Sequence, residues 1–182
     1  TINTTSGLLS GTPDNGDVGT IDVAVTATDA AGLTASDTYT LTVSNINDSP
    51  TVSTAISDIS TNEDVAYSYD ASVNFSDVDV DNTLTYSATL SNGNALPSWL
   101  TINTTSGLLS GTPDNGDVAS IDVTVTATDG DSASVSDTYT LTVTNINDAA
   151  IIAGTSTGSV TEDASTTTAT GTLTHTDADS NN

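Results

Sequence analysis

The sequence predicts an all-β chain of tandem antiparallel sandwiches, and three observations predict it. Apolar residues alternate with Thr, Ser and Asp at a period of two through most of the chain, as in strands with one buried face. Turn-forming residues punctuate those runs, at Ser91-Asn92-Gly93-Asn94, Ser106-Gly107 and Thr112-Pro113-Asp114-Asn115-Gly116. Residues 1–18, TINTTSGLLSGTPDNGDV, recur unchanged at 101–118, a spacing of 100 residues that fits a whole domain and not a solenoid unit. No segment carries a convincing helical period.

The repeat sets the units. Residues 1–50 and 101–150 differ at only 12 of 50 positions, several of them in the loop after Asp29 and Asp129. Residues 1–48 are therefore read as the C-terminal part of one domain, 49–148 as a complete one, and 149–182 as the start of a third, a window onto a longer array. In the complete unit Val65, Tyr67, Tyr69, Ala71, Val73 and Phe75 share one parity. Leu84, Tyr86, Ala88 and Leu90 repeat it, as do Ile121, Val123, Val125 and Ala127, then Val135, Tyr139, Leu141 and Val143. About seven short strands in such a length argue an immunoglobulin-like sandwich. Trp99, the single tryptophan, is expected in the core or at its edge, with ligand stacking as the competing role.

Composition narrows the function. The chain has no Lys or Arg against 24 Asp plus Glu, a formal charge of −24. Nothing cationic is available to displace the counter-ions of a nucleic acid, so that partner is excluded, and an anionic membrane surface with it. With no Cys there is no disulfide, thiolate zinc site or thiol nucleophile. No apolar run approaches the ~20 residues of a membrane span, and no signal peptide opens the chain, so a targeting signal is expected on a longer parent.

The acidic residues are not spread evenly. Asn45-Ile46-Asn47-Asp48-Ser49-Pro50, Asn62-Glu63-Asp64 and Asp77-Val78-Asp79-Val80-Asp81-Asn82 form three oxygen-rich clusters separated by apolar segments. Hard divalent cations need that kind of convergence, and packed carboxylates repel at a cost such an ion removes. The plain alternative is turn chemistry and solubility, and Asp37, Asp58 and Asp122 are assigned to it. An EF-hand does not fit, because Ala88 stands at the twelfth position where Glu is required. His175, the only histidine, is read as an ordinary strand residue.

These clusters resemble a family. Asn45-Ile46-Asn47-Asp48-Ser49-Pro50 is similar to the linker of cadherin repeats, Glu63 to their strand-A glutamate, Asp77-Val78-Asp79 to their mid-domain DxD, and Thr126-Ala127-Thr128-Asp129 to their late-strand aspartate. The segment LPSWLTINTTSGLLSGTP is similar to the bacterial putative-immunoglobulin, dystroglycan-type cadherin-like repeats of large surface adhesins. Residues 149–182, with Val160-Thr161-Glu162-Asp163 and the acidic Asp177 and Asp179, resemble the start of a VCBS-type repeat. The resemblance implies Greek-key sandwiches and Ca²⁺ at the joints. At the first joint it implies Asn45, Asn47 and Asp48 from the linker, Asp77, Asp79 and Asp129 from the unit after it, and Asp14 and Asp17 from the unit before it; Asp81, in the same acidic cluster, is a further candidate ligand. At the second it implies Glu63, Asp114 and Asp117 meeting Asn145, Asn147 and Asp148, with Asp177 and Asp179 beyond.

The expected function is a calcium-rigidified structural extender in a bacterial extracellular or cell-surface adhesin, its partners being the neighbouring repeats of the same polypeptide. Two other expectations stand beside it: a self-assembling extracellular filament or surface layer with homotypic contacts between chains, and a polysaccharide-binding module in which Trp99, Tyr67 and Tyr69 stack on sugar. An enzyme is not expected, since the complete repeat offers carboxylates but no His, Cys, Lys or Arg.

Overall fold

The computed structural model describes residues 1–79, 83–154, 157–163, 165 and 171–179. Two long strands come first, Gly19–Thr28 (β1) and Thr34–Val43 (β2), paired as an antiparallel hairpin with Val23 opposite Tyr39. Then follow Thr51–Val52 (β3), Ile59–Asn62 (β4), Tyr67–Asp70 (β5), Phe75–Ser76 (β6), Thr85–Leu90 (β7), Leu100–Ile102 (β8), Leu108–Gly111 (β9), Ser120–Thr128 (β10) and Ser134–Thr144 (β11). Ile151–Gly154 (β12) and Leu173–Thr176 (β13) close the described chain as a second antiparallel pair.

Strands β3 to β11 build a sandwich. One sheet runs β4-β11-β10-β7 and the other β5-β9-β8, with β3 and β6 forming a short ladder beside them. Period-two alternation decides what lies between the sheets. Val123, Val125 and Ala127 of β10 and Tyr139, Leu141 and Val143 of β11 point inward and are buried with Tyr67, Leu100 and Leu109. The intervening hydroxyls pair across the outer face, Thr124 with Thr138 at 2.8 Å and Thr126 with Ser136 at 2.8 Å. Inside, the phenols of Tyr67 and Tyr139 meet at 3.1 Å, which satisfies one hydroxyl with the other. Burial pushes both phenols well above their ordinary pKa, so they stay protonated. Trp99 is half-buried, its ring edge-on to Tyr67 at 6.4 Å, a place at the core's edge as expected.

One expected strand is interrupted. The alternation from Val65 to Phe75 breaks after Asp70, whose Oδ1 accepts the Ser72 N–H at 3.0 Å and the Ser72 hydroxyl at 2.6 Å. That cap winds Ala71–Asn74 into a 3₁₀ turn and swings Val73 outward, while Val65 follows Asp64, held at φ 57°, and is also exposed.

The inner face of the second long hairpin is closed from all sides: strands β10 and β11 have β7 and β4 on their edges and the second sheet across their inner face, and Tyr139 is 2 % exposed.

Gly111 lies hard against the Trp99 backbone, and a Cβ there would be 1.7 Å from the Trp99 carbonyl oxygen. Gly111→Ala is expected to destabilise the sandwich by about 3 kcal/mol or more, as backbone overpacking does. Thermal unfolding of the variant beside the unaltered chain checks this.

Candidate metal centres at the two joints

The acidic residues reach the joints because strand pairing delivers them there. β4 runs parallel to β11, with Leu141 opposite Ile59 and Thr144 opposite Asn62. The pairing continues one residue further as the Glu63 N–H donates to the Thr144 carbonyl at 3.1 Å, so Glu63 arrives beside the linker that leaves β11. There its Oε1 accepts the Ile146 N–H at 2.7 Å. The carboxylate is 0 % exposed, and its Oε2 is buried with no hydrogen-bond partner.

At the other end, β3 and β6 hold the start of the sandwich against the acidic turn, with Thr51 opposite Ser76. Asp77 Oδ1 accepts the Asp79 N–H at 2.9 Å, and this fold-back aims Asp79 at the incoming linker, where its Oδ2 accepts the Asp48 N–H at 2.7 Å. Asp79 Oδ1 is buried without a partner. From the neighbouring hairpin loop Asp129 joins: its Oδ1 accepts the N–H groups of Asp131 at 2.9 Å and Ala133 at 2.8 Å, and its Oδ2 accepts the Asn47 side-chain amide at 3.0 Å. The Asn47 amide, followed by the Ala133, Asp131 and Ser132 backbone N–H groups, holds the Asp129 carboxyl below its ordinary value of 3.8 against the opposing effect of burial.

The second joint repeats the first 100 positions on. Ile151 faces Thr176 as Thr51 faces Ser76. Asp177 Oδ1 accepts the Asp179 N–H at 3.0 Å, and Asp179 Oδ2 accepts the Asp148 N–H at 2.7 Å. The geometry survives although Val78 is replaced by Ala178 and Ser49-Pro50 by Ala149-Ala150. His175 sits exposed on β13, a strand residue as expected.

The loop TPDNGD holds a surprise. Asp14 and Asp17, like Asp114 and Asp117, fold back on their own 3₁₀ turn: Asp114 Oδ1 accepts the Gly116 N–H at 2.8 Å, and Asp117 Oδ2 accepts the Asp114 N–H at 3.0 Å, a reciprocal capping box. The side chain that reaches the linker is the asparagine between them. Asn115 Nδ2 donates to Asp148 Oδ2 at 2.7 Å, and Asn15 Nδ2 to Asp48 Oδ2 at 2.8 Å. Sequence reasoning favoured carboxylates and passed over this amide; its recurrence in the unchanged repeat, next to a turn glycine, was the available signal.

Asn45 and Asn145 are exposed in the linkers, and Asn147 Nδ2 donates to the Asp148 carbonyl at 2.8 Å. Asp81 lies outside the described residues. Among the described residues, no group of three or more Asp, Glu or His side chains is gathered as a ready ligand set. Carboxylate pairs, linker N–H groups and Asn amides make up the joints instead. The chemistry nevertheless suits a hard cation, since Glu63 Oε2 and Asp79 Oδ1 are buried anionic acceptors with no donor supplied by the protein.

A family model described as "Putative Ig domain" matches residues 1–44 and 49–144. No curated protein matches the chain. Among solved structures, PcdhgB3 EC1-4 is similar with a TM-score of 0.59 and 18% identity, over 95% of this chain and 44% of that one. Protocadherin Gamma B7 extracellular cadherin domains 1-4 is similar with a TM-score of 0.51 and 21% identity, over 91% of this chain and 42% of that one. The endo-fucoidan hydrolase MfFcnA4 from glycoside hydrolase family 107 aligns with a TM-score of 0.42 and 24% identity, over 75% of this chain and 20% of that one, too loosely to carry an argument. This chain spans less than half the length of each. The two protocadherin likenesses show the fold, an Ig-like and cadherin-like β-sandwich. Among the described residues no helix is long and apolar enough to cross a membrane.

In excess chelator, Glu63→Gln is expected to raise the melting temperature, by the equivalent of about 1 kcal/mol, because the isostere keeps an acceptor for Ile146 and removes an uncompensated buried charge. A lower melting temperature would mean that Oε2 is already compensated. Asp129, with its lowered pKa, contributes stability that is present above the ordinary value of 3.8 and lost as the pH falls through the lower folded value. Asn47→Ala is expected to shrink the loss of stability between about pH 5 and about pH 2, measured by denaturant titration at both ends.

Proposed function

This chain belongs to the Putative Ig domain family, and we propose that it is a calcium-rigidified structural extender of a bacterial extracellular or cell-surface adhesin. One observation carries the reading. At both joints the acidic turn of the following unit grips the linker backbone in the same way, Asp79 on the Asp48 N–H and Asp179 on the Asp148 N–H, each at 2.7 Å. Such a grip would hold linker and following unit in one orientation, as a rod of stacked domains requires.

Glu63, Asp148, Asp177 and Asp179 would hold an ion at the second joint, and Asp48, Asp77 and Asp79 at the first. A bound Ca²⁺ would supply positive charge to Glu63 Oε2 and Asp79 Oδ1, at an affinity of about 10⁻⁴–10⁻³ M typical of extracellular modules. The protein's own part is positional. Strand β4 carries Glu63 to the linker, the Asp77 and Asp177 fold-backs aim their neighbours, and Asn15 and Asn115 bridge to the linker aspartates. Without a cation these groups add to a chain of charge −24, and successive units repel.

Small-angle scattering tests the proposal. Calcium is expected to lengthen the particle and chelator to reverse it, with Asp79→Asn and Asp179→Asn each blunting the response. An identical maximum dimension in calcium and in chelator would rule the rod out.

A further inference from the structure

Three asparagines of this chain precede glycine: Asn15, Asn92 and Asn115. Glycine has no Cβ to shield its peptide nitrogen, and that nitrogen can attack the Cγ of the asparagine before it. The new N–Cγ bond closes a five-membered imide as the Cγ–Nδ2 bond breaks, and ammonia leaves with the peptide proton. Water then opens the ring to aspartate or isoaspartate, so an amide becomes a carboxylate with water as the only reactant and ammonia as the leaving group.

At Asn115 both reacting groups are held. The Gly116 N–H donates to Asp114 Oδ1 at 2.8 Å, and the Asn115 amide donates to Asp148 Oδ2 at 2.7 Å, across to the linker. The corresponding contacts at Asn15 are 3.0 Å from the Gly16 N–H to Asp14 Oδ1 and 2.8 Å from the Asn15 amide to Asp48 Oδ2. The turn favours glycine, because a Cβ at position 116 would lie 3.2 Å from Asp114 Oδ1. The fold therefore places a reactive dipeptide where the amide does its bridging. Asn92 differs: it is exposed in the turn after β7, and its Oδ1 accepts only the nearby Asn94 N–H at 3.0 Å.

We propose that Asn15 and Asn115 are spontaneous deamidation sites gated by joint closure, and that their conversion alters the joint for good. While the joint is shut, the linker aspartate keeps the amide from its own backbone. When it opens, Gly116 closes on Cγ, and the donor that faced Asp148 becomes a carboxylate facing a carboxylate. A joint that could close on its own hydrogen bonds then closes only with a cation between the two charges. The chain thus ages from self-closing to cation-dependent at each site.

This inference concerns the joints of the preceding section but needs no ion bound, so its test runs in excess chelator on the full chain and fails or succeeds independently of the scattering result. Peptide mass spectrometry follows conversion at the three sites at mildly alkaline pH, each rate divided by that of the same site in denaturant. The Asn115 ratio is expected to be roughly tenfold or more below that of Asn92, since reaction must await local opening. Asp148→Ala is expected to raise it toward the Asn92 ratio while Asn92 itself is unchanged, and Asp48→Ala to do the same for Asn15. Equal ratios in the unaltered chain, or an Asn115 rate indifferent to Asp148→Ala, overturn the gating. Hydrogen exchange at the Asp148 N–H tests the consequence. Asn115→Ala removes a donor and Asn115→Asp adds a repulsion, so exchange is expected to be faster in the aspartate variant; equal or slower exchange there overturns it.

Discussion

The structure depends on finding donors for carboxylates in a chain that has no lysine or arginine to offer. Buried acids in most proteins are answered by a guanidinium or ammonium; here the only internal answers are backbone N–H groups, hydroxyls and asparagine amides. Asp129 is answered in full, by two loop N–H groups and the Asn47 amide, and its carboxyl is correspondingly easy to ionise. Glu63 and Asp79 are each answered on one oxygen alone. The difference separates two kinds of acidic residue that look alike in a sequence, one that completes a turn and one that leaves an acceptor open to something outside the polypeptide.

The joints are as regular as the sandwich because they are built from the same pairing rules. A parallel neighbour for β11 puts Glu63 at the strand's end, and the short β3–β6 ladder puts the acidic turn beside the linker. Neither is a loop free to wander. That explains why the second joint reproduces the 2.7 Å contact of the first although its apolar residues differ: the register of two strand pairs, not side-chain identity around them, sets where the carboxylate stands.

Much of this was legible in the sequence, and what was not had physical reasons. Alternation named the inward faces of β10 and β11 residue by residue, since nothing in those long strands competes with the ladder. It failed between Val65 and Phe75, where the Asp70 cap offers the backbone a tighter turn than the strand would, and a side-chain cap leaves no mark on hydrophobic period. The acidic clusters pointed to segments that meet, Asp48 with Asp79 among them. They did not tell which atoms meet, because Asp114 and Asp117 are aspartates like Asp79 yet spend their bonds on their own turn.

The place of asparagine in the loop TPDNGD follows from the same shortage of donors. Position 115 faces Asp148, and position 15 faces Asp48. A carboxylate there would meet another carboxylate with no cationic side chain near enough in sequence or space to part them, and a hydrophobe would leave the linker acid without a donor. A lysine could answer the charge, but it would also place a fixed positive charge at the joint, competing with any divalent ion for the same acid. An amide donates one hydrogen bond, carries no charge, and leaves the remaining oxygens of the linker aspartate to the other side. In a chain this acidic, the neutral donor is what lets the joint close while keeping its carboxylates available.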